Sequence, residues 1–232
     1  MHYKIERMKI FVVGSGKLAN AIVNSNLLLQ SCEVLKWENT NQTTFEKSII
    51  VHAGSGRQLK ECFEFCERTK SVFIELSTGL ETEKMNPNFP LVICPNTSIL
   101  LLKTLNMIQA HGRYFENYNI SITESHQSSK ITEPGTAYAF ANSLHFPLQK
   151  IESIRDPKIQ QDKIGIPKDY LDKHAYHKIV ITDGTDQITI ETKVLGHDSY
   201  ANGVKTIIET VLKSHLENKK YTILEFIENN ML

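Results

Sequence analysis

Cysteine is sparse: the 232 residues include only Cys32, Cys62, Cys66 and Cys94. They stand in apolar or helix-like contexts rather than in turn-rich frameworks, which excludes a disulfide scaffold of the secreted kind. Cys62 and Cys66 share one face of a helix by their spacing, and with no further ligand close by they read as buried thiols rather than a metal or redox pair. Excess charge of either sign is also missing. Lys and Arg together number 26, as do Asp and Glu, and a chain without a net field has no general attraction for nucleic acid or an acidic membrane surface. No apolar run approaches the roughly 20 residues of a membrane-spanning helix. The opening Met1-His-Tyr-Lys-Ile-Glu-Arg-Met-Lys9 lacks the apolar core of a secretory signal, and a cytoplasmic location is expected.

What is present is an ordinary globular composition, 41% hydrophobic and 22% charged, at a length that suits one large domain or two small ones. The first hundred residues alternate strand and helix. Lys9–Val13, Glu33–Trp37, Ser48–Ala53, Ser71–Leu76 and Leu91–Cys94 read as strands, with helices over Leu18–Leu29 and Gln58–Arg68. Such alternation predicts a parallel sheet with right-handed crossovers. Between the first strand and helix stands Gly14-Ser15-Gly16-Lys17-Leu18-Ala19, a G-x-G-x-x-A turn of the dinucleotide-binding kind. Gly14 permits the tight turn, Gly16 lets the backbone approach a pyrophosphate, and the helix N-terminus stabilises the phosphate charge. Glu38 falls nineteen residues beyond Ala19, after the second strand, where a carboxylate accepts hydrogen bonds from the adenosine ribose. The alternative is an ordinary strand–turn–helix with a solvated glutamate. Glu38, followed by Asn39 and Thr40 rather than an arginine, favours NADH, whereas Lys17 and Lys36 would suit the extra phosphate of NADPH.

The second half has a different pattern. A helix over Ser98–His111 leads into an alternating strand, Tyr118–Glu124, and that strand into Glu124-Ser-His126-Gln127-Ser-Ser-Lys130-Ile-Thr-Glu-Pro134-Gly135-Thr136. A carboxylate, an imidazole and an ammonium thus precede a turn that opens a helix, an arrangement suited to a small anion. Strands over Lys150–Ile154, His177–Thr182 and Gln187–Val194 follow, the last two joined by a hairpin at Asp183-Gly184. Strands in sequence without intervening helices predict a mostly antiparallel sheet backed by helices. Helical spacing returns over Tyr200–His215. His174-x-x-His177 has the spacing of a metal pair, but a polar loop entering a strand is the simpler reading, and no metal site is expected.

The order of these pieces resembles the dihydrodipicolinate reductases of bacterial lysine and diaminopimelate synthesis, over nearly the whole chain. The resemblance rests on the glycine turn, on Ser77-Thr78-Gly79 and Pro95-Asn96-Thr-Ser98 after the fourth and fifth strands, on Glu124–Ala137, and on Tyr200-Ala-Asn-Gly203 with Tyr221–Ile227 at the end. It implies an NAD(P)H-dependent oxidoreductase acting on a cyclic imine dicarboxylate. It further implies a Rossmann-type nucleotide domain (1–100 and 204–232) and a second α+β domain (101–203) for substrate binding and assembly into a homodimer or homotetramer. The histidine and lysine matching His126 and Lys130 are the family's acid–base and substrate-binding groups. By the same resemblance, Gly135 and Thr136 are expected to hold a substrate carboxylate, with Gln127 beside them, and Ser77, Thr78, Gly79, Pro95, Asn96 and Ser98 to border the nicotinamide. The chain departs from the family's usual pattern in three places. His126-Gln127 replaces two adjacent histidines, Pro134-Gly135-Thr136 is one residue shorter than Pro-Ser-Gly-Thr, and His52-Ala-Gly54-Ser-Gly56 replaces Asp-Phe-Thr. The altered turn leaves room for a related amino- or imino-acid dehydrogenase of the aspartate dehydrogenase kind, or for a non-catalytic nucleotide-binding paralogue. Lys158, Lys163, Lys168, Lys173, His174 and His177, in the long segment 156–177, are candidates to replace a lost carboxylate contact.

Overall fold

The structure, a computed structural model, describes residues 7–24, 32–38, 46–196 and 198–232. In chain order its elements are β1 (Met8–Val13), α1 (Lys17–Asn24), β2 (Cys32–Lys36), β3 (Ile49–His52), α2 (Leu59–Thr69), β4 (Val72–Glu75), β5 (Leu91–Ile93), α3 (Ile99–His111), β6 (Asn119–His126) and α4 (Gly135–Ser143). There follow β7 (Glu152–Ile154), α5 (Pro157–Asp162), β8 (His174–Thr182), β9 (Gln187–Leu195), α6 (Asp198–Lys213), β10 (Lys220–Thr222) and α7 (Ile223–Glu228). The chain divides into two compact units, Met1–Ile99 with Tyr200–Leu232, and Leu100–Ser199.

The first unit is built on a parallel sheet in the order β10-β5-β4-β3-β1-β2. Every residue of β3, β4 and β5 is buried, which is why these strands read as continuous apolar runs rather than alternating ones. One core cluster joins Phe11, Trp37, Cys62, Phe65, Cys66 and Phe73, with Trp37 and Phe65 edge-to-face at 5.3 Å. The cysteines are buried thiols, and burial pushes Cys62 up to about 12, with Glu61 and Glu75 adding to the effect. Leu28 and Leu29 of the expected first helix lie outside the described residues.

The second unit has a mixed sheet in the order β7-β6-β8-β9. β8 pairs antiparallel with β6 and β9, whereas β7 runs parallel to β6. The parallel pair corrects the view of these strands as following one another directly. α4 lies between β6 and β7 in sequence, and a strand–helix–strand crossover returns the chain in the same direction. Segment 156–177 also holds more structure than expected. Asp156 caps α5, its carboxylate accepting from the amides of Lys158 at 2.7 Å and Ile159 at 3.0 Å, with Pro157 at the first helical position. β8 begins at His174, so His174 and His177 belong to a strand and not to a polar loop. Three residues apart on a strand, they point to opposite faces, which explains why the pair is not a chelate. No helix among the described residues is long and apolar enough to cross a membrane.

Candidate functional site

Parallel strands place their C-terminal ends at one edge, and the loops leaving that edge are where an open α/β sheet binds ligands. In the first unit these loops carry Gly14–Leu18 after β1, Glu38 after β2, residues 53–57 after β3, Ser77–Gly79 after β4 and Pro95–Ser98 after β5. Because β1 is flanked by β2 and β3, the chain reverses direction between β1 and β3, and the glycine turn stands at that switch point. The two glycines have different duties. Gly14 has φ +121°, and a Cβ there would lie 2.4 Å from the Ala53 carbonyl oxygen, so the fold itself requires it. A Cβ on Gly16 meets nothing within 4 Å. The amides of Gly16, Lys17 and Leu18 have no acceptor among the described residues, as expected for the open N-terminus of α1.

A buried pair underlies these loops. His52 Nδ1 lies 2.8 Å from Glu75 Oε1, both side chains being wholly buried, and His52 Nε2 lies 3.1 Å from the Arg57 carbonyl oxygen. A carbonyl only accepts, so Nε2 carries a proton and Nδ1 shares another with Glu75. Glu75 Oε1 also accepts from the Ser77 amide at 2.8 Å, and Ser77 Oγ accepts from the Ser55 amide at 3.2 Å. The residues replacing Asp-Phe-Thr therefore tie the β3 and β4 loops together. After β5, Asn96 Oδ1 accepts from the Ser98 amide at 2.9 Å, and Thr97 donates to the Tyr200 carbonyl at 2.8 Å.

In the second unit, His126 ends β6 and is half-buried. Its Nδ1 donates to Glu124 Oε2 at 2.6 Å, and Glu124 Oε1 accepts from Arg155 Nη2 at 2.6 Å. Glu124 is wholly buried. Burial alone would raise its pKa, but hydrogen bonds from His126, Arg155 and Ser153, together with the Arg155 charge, hold it down to about 2. An ionised carboxylate only accepts, so His126 carries its proton on Nδ1, and Nε2, which has no partner among the described residues, is the nitrogen left for chemistry. His177 stands opposite Glu124 in the β6–β8 register, with its ring centroid 5.8 Å from that of His126. Burial and the neighbouring His126 lower it to about 4, against the opposing pull of Glu124, so it is neutral near pH 7.

On the other face of β6, Ser125 Oγ lies 3.0 Å from His174 Nε2, and Gln160 Nε2 donates to Ser125 Oγ at 3.1 Å and to the His126 carbonyl at 2.8 Å. These bonds seat α5 against the end of β6. Gln127 and Lys130 close a turn, the Lys130 amide donating to the Gln127 carbonyl at 3.0 Å, and Lys130 Nζ donates to Thr132 Oγ1 at 3.0 Å. Gly135 and Thr136 open α4, but the Gly135 amide donates to the Glu133 carbonyl at 3.0 Å. The shortened turn thus engages internally a donor that the resemblance assigns to a substrate carboxylate.

Sequence reading took in Glu124 as part of the motif without giving it a role, and it missed Arg155, Gln160 and the place of His177. Arg155 directly follows β7, and only the β6–β7 register brings it to Glu124. Arg155 is the cation paired with Glu124. The sequence signals for this corner are Asp156-Pro157, which mark a helix start immediately after Arg155.

Comparison with known proteins points the same way. The family model described as "Dihydrodipicolinate reductase, C-terminus" matches residues 100–227. The chain is 30% identical over 128 residues to 4-hydroxy-tetrahydrodipicolinate reductase 2, chloroplastic, of Arabidopsis thaliana, an alignment covering 50% of this chain and 37% of that protein. A chloroplastic relative described as a probable enzyme of the same name, from Oryza sativa subsp. japonica, is 28% identical over 128 residues, again 50% of this chain and 37% of the relative. The match therefore spans well under half the length of these curated relatives. Among solved structures, the dipicolinate-bound dihydrodipicolinate reductase of Paenisporosarcina sp. TG-14 superposes with a TM-score of 0.66 at 16% identity, covering 96% of this chain and 100% of that one. The DAP dehydrogenase of C. glutamicum in complex with DAP gives 0.54 at 7% identity, covering 94% and 93%. At these identities the likeness is one of fold.

Proposed function

The chain belongs to the dihydrodipicolinate reductase family, and from that premise we propose that it is an NAD(P)H-dependent reductase of a cyclic imine dicarboxylate. The step we assign is reduction of 4-hydroxy-tetrahydrodipicolinate in lysine and diaminopimelate synthesis. One observation carries the reading: a buried, ionised Glu124 holds His126 as its Nδ1–H form and leaves Nε2 open, within the segment that matches the reductase C-terminus. That match favours this reading over an amino-acid dehydrogenase or a binding-only paralogue.

The first unit, with boundaries near 1–100 and 204–232, is proposed as the dinucleotide domain. Its residues suit the group: open space over Gly16, unclaimed amides at the start of α1, and a carboxylate, Glu38, after β2. Ser77–Gly79 and Pro95, Asn96 and Ser98 would border the nicotinamide, and Glu38 favours NADH over NADPH. When bound, the nicotinamide supplies the hydride. Residues 101–203 supply the rest. Lys130, the Thr136 hydroxyl and the amides of Thr136 and Ala137 at the start of α4 neutralise a substrate carboxylate, with Gln127 and Gly135 beside them. His126, protonated at Nε2, provides the proton that must reach the atom next to the carbon receiving hydride. The solved relative that binds dipicolinate, a ring dicarboxylate, supports this choice of substrate class. Assembly as a homodimer or homotetramer and a cytoplasmic location are part of the same proposal, although the curated plant relatives are named as chloroplastic.

The test supplies purified protein with the aldehyde–pyruvate condensation product and follows NADH and NADPH absorbance separately. Turnover is expected, with His126→Ala and Lys130→Ala each lowering kcat/KM by about 100-fold or more while cofactor affinity is kept. Tight cofactor binding without turnover in the parent protein would sink the substrate assignment.

A further inference from the structure

The acid–base group of the proposed reaction does not stand alone, and its neighbours pull in opposite directions. Glu124 has no solvent exposure and divides its two oxygens, Oε2 accepting from His126 Nδ1 and Oε1 from Arg155 Nη2, each at 2.6 Å. The Arg155 side chain is 27% exposed and also donates through Nη1 to the Ile154 carbonyl at 3.0 Å, so its guanidinium is held from two sides. The titratable and charged groups that face His126 can be named from each neighbouring element. Glu124 comes from its own strand, Arg155 from the residue after β7, and His177 from β8, whose His174 lies on the opposite face of the sheet beside Ser125. α4 presents Phe140 to the neighbouring His177 and α5 presents Gln160 to the His126 carbonyl, both uncharged. Lys130, on the turn after β6, directs its ammonium to Thr132. Both β8 histidines have lowered pKa values, from burial first and from His126 among the other causes, and so add no second imidazolium.

Resting on the proposed reductase reading, we infer that Glu124 and Arg155 are opposed positioning residues for His126. The carboxylate fixes the tautomer and holds the imidazolium proton, and the guanidinium restrains the carboxylate. The physical basis is the division of one anion between two cations. With its charge close to His126, Glu124 favours the protonated ring. Arg155 places a positive charge on the far oxygen, which keeps Glu124 ionised and at the same time opposes protonation of His126. Without Arg155, the full pull of the carboxylate falls on the histidine. Without the carboxylate, nothing selects Nδ1–H, and the Arg155 charge is left uncompensated. The two substitutions therefore shift His126 in opposite directions, and only loss of the carboxylate mixes the tautomers, an outcome that distant charges alone do not produce.

The experiment reads His126 directly, without substrate, by 15N–1H correlation spectra of histidine-labelled protein titrated from pH 5 to 9, the ring assigned by its loss in His126→Ala. The parent protein is expected to show the neutral ring as Nδ1–H. Glu124→Gln should move the titration midpoint down by about one pH unit or more and mix the tautomers. Arg155→Gln should move the midpoint up, with the Nδ1–H form kept, and Arg155→Lys should return it toward the parent value. Thermal melts check folding. If Glu124→Gln does not fold, the two variants at the partly exposed Arg155 still decide the matter. Midpoints that shift in the same direction, do not shift, or a parent ring in the Nε2–H form would overturn the inference. With substrate, the acidic and basic limbs of kcat/KM should follow the same order. Opposed midpoints in a protein that turns over no substrate would refute the reductase reading alone and leave the Glu124–Arg155 assignment standing.

Discussion

His177 gives the second unit a built-in sensitivity to acid. It is buried, contacts Thr192 Oγ1 through Nδ1 at 3.1 Å, and has no partner for Nε2 among the described residues. Its pKa falls from the ordinary 6.5 to about 4. In this case the unfolded chain binds the proton first, so the folded state has its full advantage above pH 6.5 and loses it as pH falls toward 4. Between pH 7.5 and pH 5 the loss amounts to about 2 kcal/mol. Urea midpoints at the two pH values should show it, and His177→Gln should remove most of the difference. Glu124 acts in a lower window. Its pKa is depressed from 4.5 to about 2, so its stabilisation is complete above 4.5 and is lost progressively as pH falls from there through about 2. The two key glycines also separate at this scale. Gly14→Ala forces a Cβ to 2.4 Å from the Ala53 oxygen at a positive φ and should cost roughly 1–3 kcal/mol. Gly16→Ala, in open space, should leave the unfolding midpoint of the cofactor-free protein within about 0.5 kcal/mol of the parent. Equal losses would contradict the division of duties.

Among the elements, α5 is the one most closely tied to the candidate site. It is only six residues long, too short to persist on its own sequence. Its cap and its contacts hold it: Asp156 covers two amides at its start, and Gln160 reaches Ser125 Oγ and the His126 and Ile154 carbonyls. Asp156→Ala is expected to destabilise the protein by about 1 kcal/mol. Faster amide exchange confined to α5 and the end of β6 would locate the effect, and uniform exchange across the unit would argue against it. Asp156-Pro157 is legible as a helix start in sequence, but six residues are too few to show a helical period. β7 posed the opposite difficulty. Its three residues read as a strand, but direction is a property of pairing, and only the α4 crossover makes it parallel to β6. The strands of the first sheet were legible because burial on both faces leaves apolar runs that end at turn residues.

For the molecule as a whole, the loops at the C-terminal edge of the first sheet make a definite claim about nucleotide binding. Gly16→Val places a branched side chain over unclaimed amides in space that is open in the present structure. Calorimetric titration with NADH and NADPH should show at least a tenfold loss of affinity with an unchanged melting profile. Undiminished binding would remove the glycine turn from the cofactor site.

The sequence alone determined what depends on neighbours in the chain. Alternating strands and helices, the Gly14–Ala19 turn after a buried strand, the histidine and lysine of the 124–136 segment and the hairpin at Asp183-Gly184 all follow from short-range spacing and backbone preference. Tertiary structure decided what depends on register. It brought Arg155 to Glu124 across a parallel pair, set His177 opposite Glu124 across an antiparallel one, and directed His174 to the other face. It also made Arg155 the ion-pair partner of the Glu124 carboxylate. Residues separated by tens of positions meet only when strand pairing sets their alignment, and a shift of one residue would turn each of these side chains to the opposite face. That alignment is set by the burial of whole strands, and no local spacing records it.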